Sequence, residues 1–228
     1  MSLRPPLQIG AIIRNARAFN MQNWRGAVAP MDDILPTVAE LFTLLKQRKV
    51  RPVLVGGIAL LQYIQGRNTE DIDLILAVSS LKKLPEIQIT SEEIYFARGQ
   101  FKGLQIDFLL TRNPLFARVQ RAYTTSQQFL EQEIVSATVE GLVLLKLYAL
   151  PSLYHQGNFA RVGLNENDIA TLLYYHQPNM AVVEQELAKF VSPSDLEAIQ
   201  DALNEINKRI ARFQRSAETD SGDTKAPS

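Results

Sequence analysis

The sequence predicts an α+β fold, with a small mixed β-sheet flanked by helices and a C-terminal helical bundle after it. Three observations point there. Short runs of Val, Ile and Leu, bounded by turn residues or broken by alternating polar positions, crowd the first half at Pro52-Val53-Leu54-Val55, Asp71 to Val78 and Leu104 to Leu110. From Thr138 onward the apolar positions instead recur at helical spacing over longer stretches. The 228 residues, 46% of them hydrophobic, suffice for one sizeable core or two small ones.

Taken in order, residues 1–30, with Pro5, Pro6 and a mixed stretch through Trp24, are expected to form an irregular N-terminal arm. An α/β core is expected over 31–128. Ile34 to Lys49 places Leu35, Val38, Leu41, Leu44 and Leu45 on one helical face, and Pro36 suits a first turn. The strand Pro52–Val55 stops at Gly56-Gly57, and a helix Ile58 to Gln65 closes at Gly66. Asp71 to Val78 reads as a strand with Ile72, Leu74 and Leu76 on one face and Asp71 and Asp73 on the other. Strand-like pieces follow at Glu86 to Ile89 and Ile94 to Arg98. Leu104 to Leu110 is clearer, with Asp107 opposite its apolar face, and Asn113-Pro114 opens a helix to about Ala122.

Residues 129–214 are expected to be a helical region, with one short strand at Glu133 to Ala137. Thr138 is a plausible N-cap for a helix that stops before Pro151. Further helices are expected over Glu166 to Tyr175, Ala181 to Phe190 and Ser194 to Phe213, the last with Ser194 and Glu197 at capping-box spacing. Residues 215–228 hold no aromatic or large aliphatic side chain and are expected to be a disordered tail.

Composition narrows the chemistry. With no cysteine there are no disulfides, thiol nucleophiles or thiolate metal sites, and two histidines make a histidine-rich centre improbable. Any metal must lean on carboxylate oxygen, which suits Mg2+ or Mn2+. Lys plus Arg equals Asp plus Glu at 24 each, so no global basic field announces nucleic acid. No apolar run nears the roughly 20 residues of a membrane helix, and without a signal pattern a cytoplasmic location is expected.

The segment from Val53 to Leu76 runs strand, glycine turn, helix, then a strand that opens with two carboxylates. Gly56 and Gly57 let a phosphate approach backbone amides. Asp71 and Asp73, two apart on a strand, project to one side, where mutual repulsion invites a cation. Two magnesium ions there would clamp a triphosphate for in-line displacement. Asp107 would add a third carboxylate, as metal ligand or as base for an incoming hydroxyl.

The glycine pair, the intervening helix and Arg67-x-Thr69-x-Asp71-Ile72-Asp73 resemble motif I of the polymerase β-type nucleotidyltransferase superfamily. Its small prokaryotic branch, which includes AbiEii-type toxins of toxin–antitoxin systems, is the most similar. That resemblance implies a nucleotidyltransferase fold, a nucleoside triphosphate donor, Mg2+ or Mn2+ on Asp71, Asp73 and Asp107, and an RNA or protein acceptor with a possible cognate antitoxin. It also implies nucleotide or phosphate contacts for Gly56, Gly57, Arg67, Thr69 and Lys146, the last in Lys146-Leu-Tyr-Ala149. Arg161 followed by Asp168-Ile-Ala-Thr-Leu-Leu173 is similar to the family's late motif. The chain departs from that motif at Asn165, where the first acid would fall. Two other readings therefore stand beside the enzyme: an idle nucleotide- or partner-binding module, and an antitoxin-like or scaffold protein using its helical half as an interface.

Overall fold

A computed structural model describes residues 34–64, 71–129 and 132–222. The expected N-terminal arm, Gly66, Arg67 and Thr69 lie outside the described residues. The chain divides into two compact units, Met1–Leu142 and Val143–Ser228.

The first unit begins with helix α1, Ile34–Gln47. Val38, Leu41, Phe42 and Leu45 recur at three- and four-residue spacing and are all buried, which is why this stretch is a helix with one dry face. The backbone then turns at Lys49 (φ 54°) into strand β1, Val53–Val55. Helix α2, Gly56–Leu60, follows without a gap. It is earlier and shorter than the expected helix from Ile58 to Gln65, and Leu61 to Tyr63 form turns beyond it. Next come β2 (Ile72–Leu76), the short helix α3 (Val78–Leu81), β3 (Gln88–Glu92), β4 (Phe96–Phe101) and β5 (Leu104–Leu110). Helix α4, Pro114–Ala122, starts where Asn113 accepts a hydrogen bond from Leu115 N at 2.9 Å, with proline in the first turn, as the sequence leads one to expect.

Among the described residues the strands join one mixed seven-stranded sheet in the order β3-β4-β5-β2-β1-β7-β6. Of its members, β6 is Thr124–Phe129 and β7 is Gln132–Ala137. The pairs β2/β5 and β1/β7 are parallel, and the other four are antiparallel. Strand β6 has no counterpart among the expected elements, because Thr124-Thr-Ser-Gln-Gln-Phe129 offers almost no apolar alternation. It is held as an edge strand by its ladder to β7. Strand β7 in turn lies beside β1, where the buried Ser136 hydroxyl donates to Leu54 O at 3.3 Å. The sheet therefore extends past the boundary expected at residue 128, and the first unit runs to Leu142.

Helix α5, Val139–His155, opens with Gly141 N donating to Thr138 Oγ1 at 3.3 Å, so Thr138 caps it. It does not stop before Pro151. Proline within a helix forfeits one backbone bond and costs about 3 kcal/mol, but Leu150 and Pro151 are both buried and packing holds the helix through them. The second unit continues with α6 (Phe159–His176), α7 (Met180–Leu187) and α8 (Pro193–Gly222). Helix α6 starts well before the expected Glu166, capped by Asn158, whose side chain accepts from Arg161 N at 3.2 Å. Helix α8 is capped by Ser192 and not Ser194: Ser192 Oγ accepts from Asp195 N at 3.1 Å and donates to its carboxylate at 2.7 Å, with Pro193 at the first helical position. The helix also continues to Gly222, so residues 215–222 are helical where a disordered tail is expected from composition. Ala, Glu and Arg in that stretch are good helix formers even without an apolar face.

Candidate active site

The sheet register brings two of the selected carboxylates side by side. Strands β2 and β5 run parallel, and Asp73 is paired with Asp107 across them. Both strands alternate at this point: Ile72 and Leu74 are buried on either side of Asp73, and Ile106 and Phe108 on either side of Asp107. Both carboxylates therefore leave the sheet on the face opposite those four apolar neighbours. Asp71, just before β2, shares the parity of Asp73 and is likewise partly exposed.

Gly56 closes the arrangement from the other side. Val55, the residue before it, is the β1 partner of Asp73. A Cβ placed on Gly56 would fall 1.8 Å from Asp73 Oδ2, and its φ of +63° is a left-handed value that side chains disfavour. A glycine is required here because the Asp73 carboxylate occupies the space a side chain would need. Gly57 is buried within α2.

Arg98, which the sequence reading did not select, completes the cluster. On β4 it sits opposite Asp107, antiparallel. Its Nε donates to Asp107 Oδ1 at 2.7 Å and its terminal nitrogen to Oδ2 at 2.9 Å, so the guanidinium takes both carboxylate oxygens in one fork. The hydrogen bond and charge of Asp107, and then the charges of Asp71 and Asp73, push the Arg98 pKa above its usual value. A signal for this pairing exists in the sequence. Lys102 (φ 49°) and Gly103 (φ 81°) both take positive φ and form a two-residue turn, which sets Phe101 against Leu104 and hence Arg98 against Asp107.

Among the described residues no three Asp, Glu or His side chains form a ready metal-binding group. Asp71 and Asp73 share a parity and supply hard oxygen, and both oxygens of Asp107 accept hydrogen bonds from Arg98.

A second polar cluster lies within the second unit. Lys146 Nζ is 2.7 Å from Asp168 Oδ2 and donates to Asn165 Oδ1 at 2.8 Å, while Asn165 Nδ2 returns a bond to Lys146 O at 2.9 Å. Asp168 is only 1% exposed and Asn165 7%. Lys146 and Asp168, which the resemblance places in separate motifs, are thus one buried ion pair, and Asn165 is its third member. Arg161 is exposed in the first turn of α6. The same unit has a pocket of about 450 Å³ bordered by Leu150, Tyr154, Glu166, Asp195 and Glu205, and no residue selected from the sequence lines it. Its Tyr154 hydroxyl donates to Glu166, and that bond, with some burial and the Glu166 charge, pushes the phenol up to about 12.

No protein-family model matches the chain, and no curated protein matches it. Among solved structures it is similar to an antigenic nucleotidyltransferase-like protein from Paracoccidioides brasiliensis, with 17% identity, a TM-score of 0.45, and coverage of 75% of this chain and 93% of that one. It is also similar to ANT(2'')-Ia in complex with adenylyl-2''-tobramycin, with 12% identity, a TM-score of 0.48, and coverage of 69% and 97%. The solution structure of the antibiotic-resistance factor ANT(2'')-Ia gives 9% identity, the same TM-score of 0.48, and coverage of 81% and 98%. These neighbours are nucleotidyltransferases or nucleotidyltransferase-like proteins.

Proposed function

We propose that this protein is a metal-dependent nucleotidyltransferase that moves a nucleoside monophosphate from a nucleoside triphosphate to a hydroxyl acceptor. The observation that carries the proposal is the register pairing of Asp73 with Asp107, with Asp71 at the same parity as Asp73. In such a reaction the acceptor oxygen bonds to the α-phosphorus, the bond from that phosphorus to the bridging oxygen breaks, and pyrophosphate leaves. The hydroxyl proton passes to a carboxylate or to water. Such chemistry asks a protein mainly for positioning and charge neutralisation.

Asp71 and Asp73 would hold a Mg2+ or Mn2+ ion, since magnesium commonly takes one or two carboxylates and keeps several waters. The bound ion would neutralise phosphate charge and orient the triphosphate. Gly56 lets Asp73 lie flat against the end of β1. Asp107 supplies a third carboxylate whose orientation Arg98 fixes. The resemblance to AbiEii-type proteins favours an RNA or protein acceptor and a cognate antitoxin.

One observation favours the rival reading of an idle nucleotide-binding module: Arg98 already engages both Asp107 oxygens. Calorimetric titration of each nucleoside triphosphate, with and without Mg2+, tests the site. The wild type should bind one nucleotide in a Mg2+-dependent manner, and Asp71→Asn/Asp73→Asn should lose that binding. Binding with no pyrophosphate release, whatever acceptor is offered, would select the idle module. No binding to folded wild type would refute both.

A further inference from the structure

We propose that the second unit carries a docking surface for single-stranded nucleic acid, formed by Arg209 and Arg212 of α8 with the exposed rings of Phe213 and Tyr175. The surface goes beyond the proposed function and does not rest on its metal reading. Helix α8 is divided by charge. Its first part holds Asp195, Glu197, Asp201 and Glu205 with no basic residue, whereas residues 206–216 hold Lys208, Arg209, Arg212 and Arg215 with no acid. A helix C-terminus attracts cations only within its last turn, and the last turn of α8 has none, so the helix dipole does not account for this row.

Spacings of three and four residues place Arg209, Arg212 and Phe213 on one face of the helix, and all three are exposed. Arg209 donates to Glu166 O at 3.2 Å, which ties it to α6 and uses one of the five donors of a guanidinium. Lys208 is 2.7 Å from Glu205, so the arginines are what this face offers a phosphate. Beside them, the Tyr174 ring lies edge-to-face against Phe213 at 5.6 Å and against Tyr175 at 4.9 Å between centroids. Tyr174 thereby braces two rings that stay mostly in water, Phe213 at 61% and Tyr175 at 67% exposure.

Guanidinium groups beside open ring faces suit an unpaired strand, whose phosphates take the charge and whose bases stack on the rings. A duplex keeps its bases stacked on one another and would use the arginines alone. An anionic bilayer calls for a broad apolar face, and the exposed positions between 207 and 216, apart from Phe213, are polar, charged or alanine.

The test is fluorescence anisotropy of labelled RNA and DNA single strands of non-pairing sequence, and of a DNA duplex, against the full chain without divalent metal. Thermal melting checks folding. Wild type should bind a single strand more tightly than the duplex, and the tighter of RNA and DNA identifies the source of the strand. Arg209→Gln/Arg212→Gln should weaken binding and lower the slope of log affinity against log salt by about 1.4, the share of two phosphates. Tyr175→Leu/Phe213→Leu should weaken it about ten-fold or more with the slope unchanged, and Tyr175→Phe/Phe213→Tyr should bind like wild type. Asp71→Asn/Asp73→Asn should also bind like wild type. No single-strand binding at low salt, equal affinity for the duplex, or full affinity in folded variants lacking the arginines or the rings would overturn the proposal. Loss of binding in folded Asp71→Asn/Asp73→Asn would overturn it by moving the strand to the carboxylate cluster. Polyglutamate or anionic vesicles bound as tightly as the strand would overturn it too, by making the face a general polyanion site. Apart from the carboxylate variant, none of these outcomes bears on the proposed function.

Discussion

The chain contains two ion pairs that look alike on paper and differ in surroundings. Arg98–Asp107 in the first unit and Lys146–Asp168 in the second both close at 2.7 Å. The Arg98 and Asp107 side chains are 48% and 26% exposed, whereas those of Lys146 and Asp168 are 14% and 2% exposed. Water screens the first pair, so its net energy is small and a ligand can compete for it. The second pair has given up most of its hydration, and losing one partner would strand the other charge in a dry place. A cation near a carboxylate can therefore be working equipment in one part of a protein and a structural fastener in another, and burial decides which.

The largest expected effect is at the fastener. Lys146→Ala should destabilise the second unit by about 3–5 kcal/mol, the usual cost of breaking a buried pair from one side. Removing both charges with Lys146→Met/Asp168→Leu should recover much of that loss. Chemical denaturation of the three proteins checks it. If Lys146→Ala keeps its stability but loses nucleotide binding, Lys146 is a phosphate contact and the contrast between the two pairs collapses.

Gly56→Ala comes next and probes the open cluster without touching a charge. A side chain at a φ of +63° costs about 1–3 kcal/mol, and its Cβ would collide with the Asp73 carboxylate. We expect a loss of stability in that range together with loss of Mg2+-dependent nucleotide binding, as Asp73 is pushed from its place. Calorimetry and denaturation on the same sample separate the two. Retained nucleotide binding would show that the position of Asp73 does not matter to the site.

The sequence revealed the two regions unequally, for physical reasons. Alternation in Leu104–Leu110 placed Asp107 on the face away from the core, and the parity of Asp71 and Asp73 was equally plain; the β-ladder then set Asp73 and Asp107 side by side. Local patterns carry that kind of information well. Arg98 escaped because its partner depends on register, and the register depends on a Lys-Gly turn in which a non-glycine residue takes positive φ. The union of Lys146, Asn165 and Asp168 escaped because it arises from packing α5 against α6, and no local period encodes which residues meet there. Strand β6 and the continuation of α5 through Pro151 were hidden for the same reason: a pairing partner and buried packing overrode weak local propensity.

The smallest expected effect is the one most able to break the contrast. Arg98→Gln removes a forked ion pair, and two hydrogen bonds at 2.7 and 2.9 Å would be worth a good deal in a dry interior. Roughly half of the Arg98 side chain is in water, however, and the partner it leaves behind can be rehydrated. The expected loss is therefore no more than about 1 kcal/mol, several-fold below that of Lys146→Ala, in the same denaturant and at the same ionic strength. Raising the salt should shrink it further, because exposed pairs are screened and buried ones are not. A loss comparable to that of Lys146→Ala, insensitive to salt, would make Arg98 a second fastener and leave the carboxylate cluster without a cation free to serve chemistry.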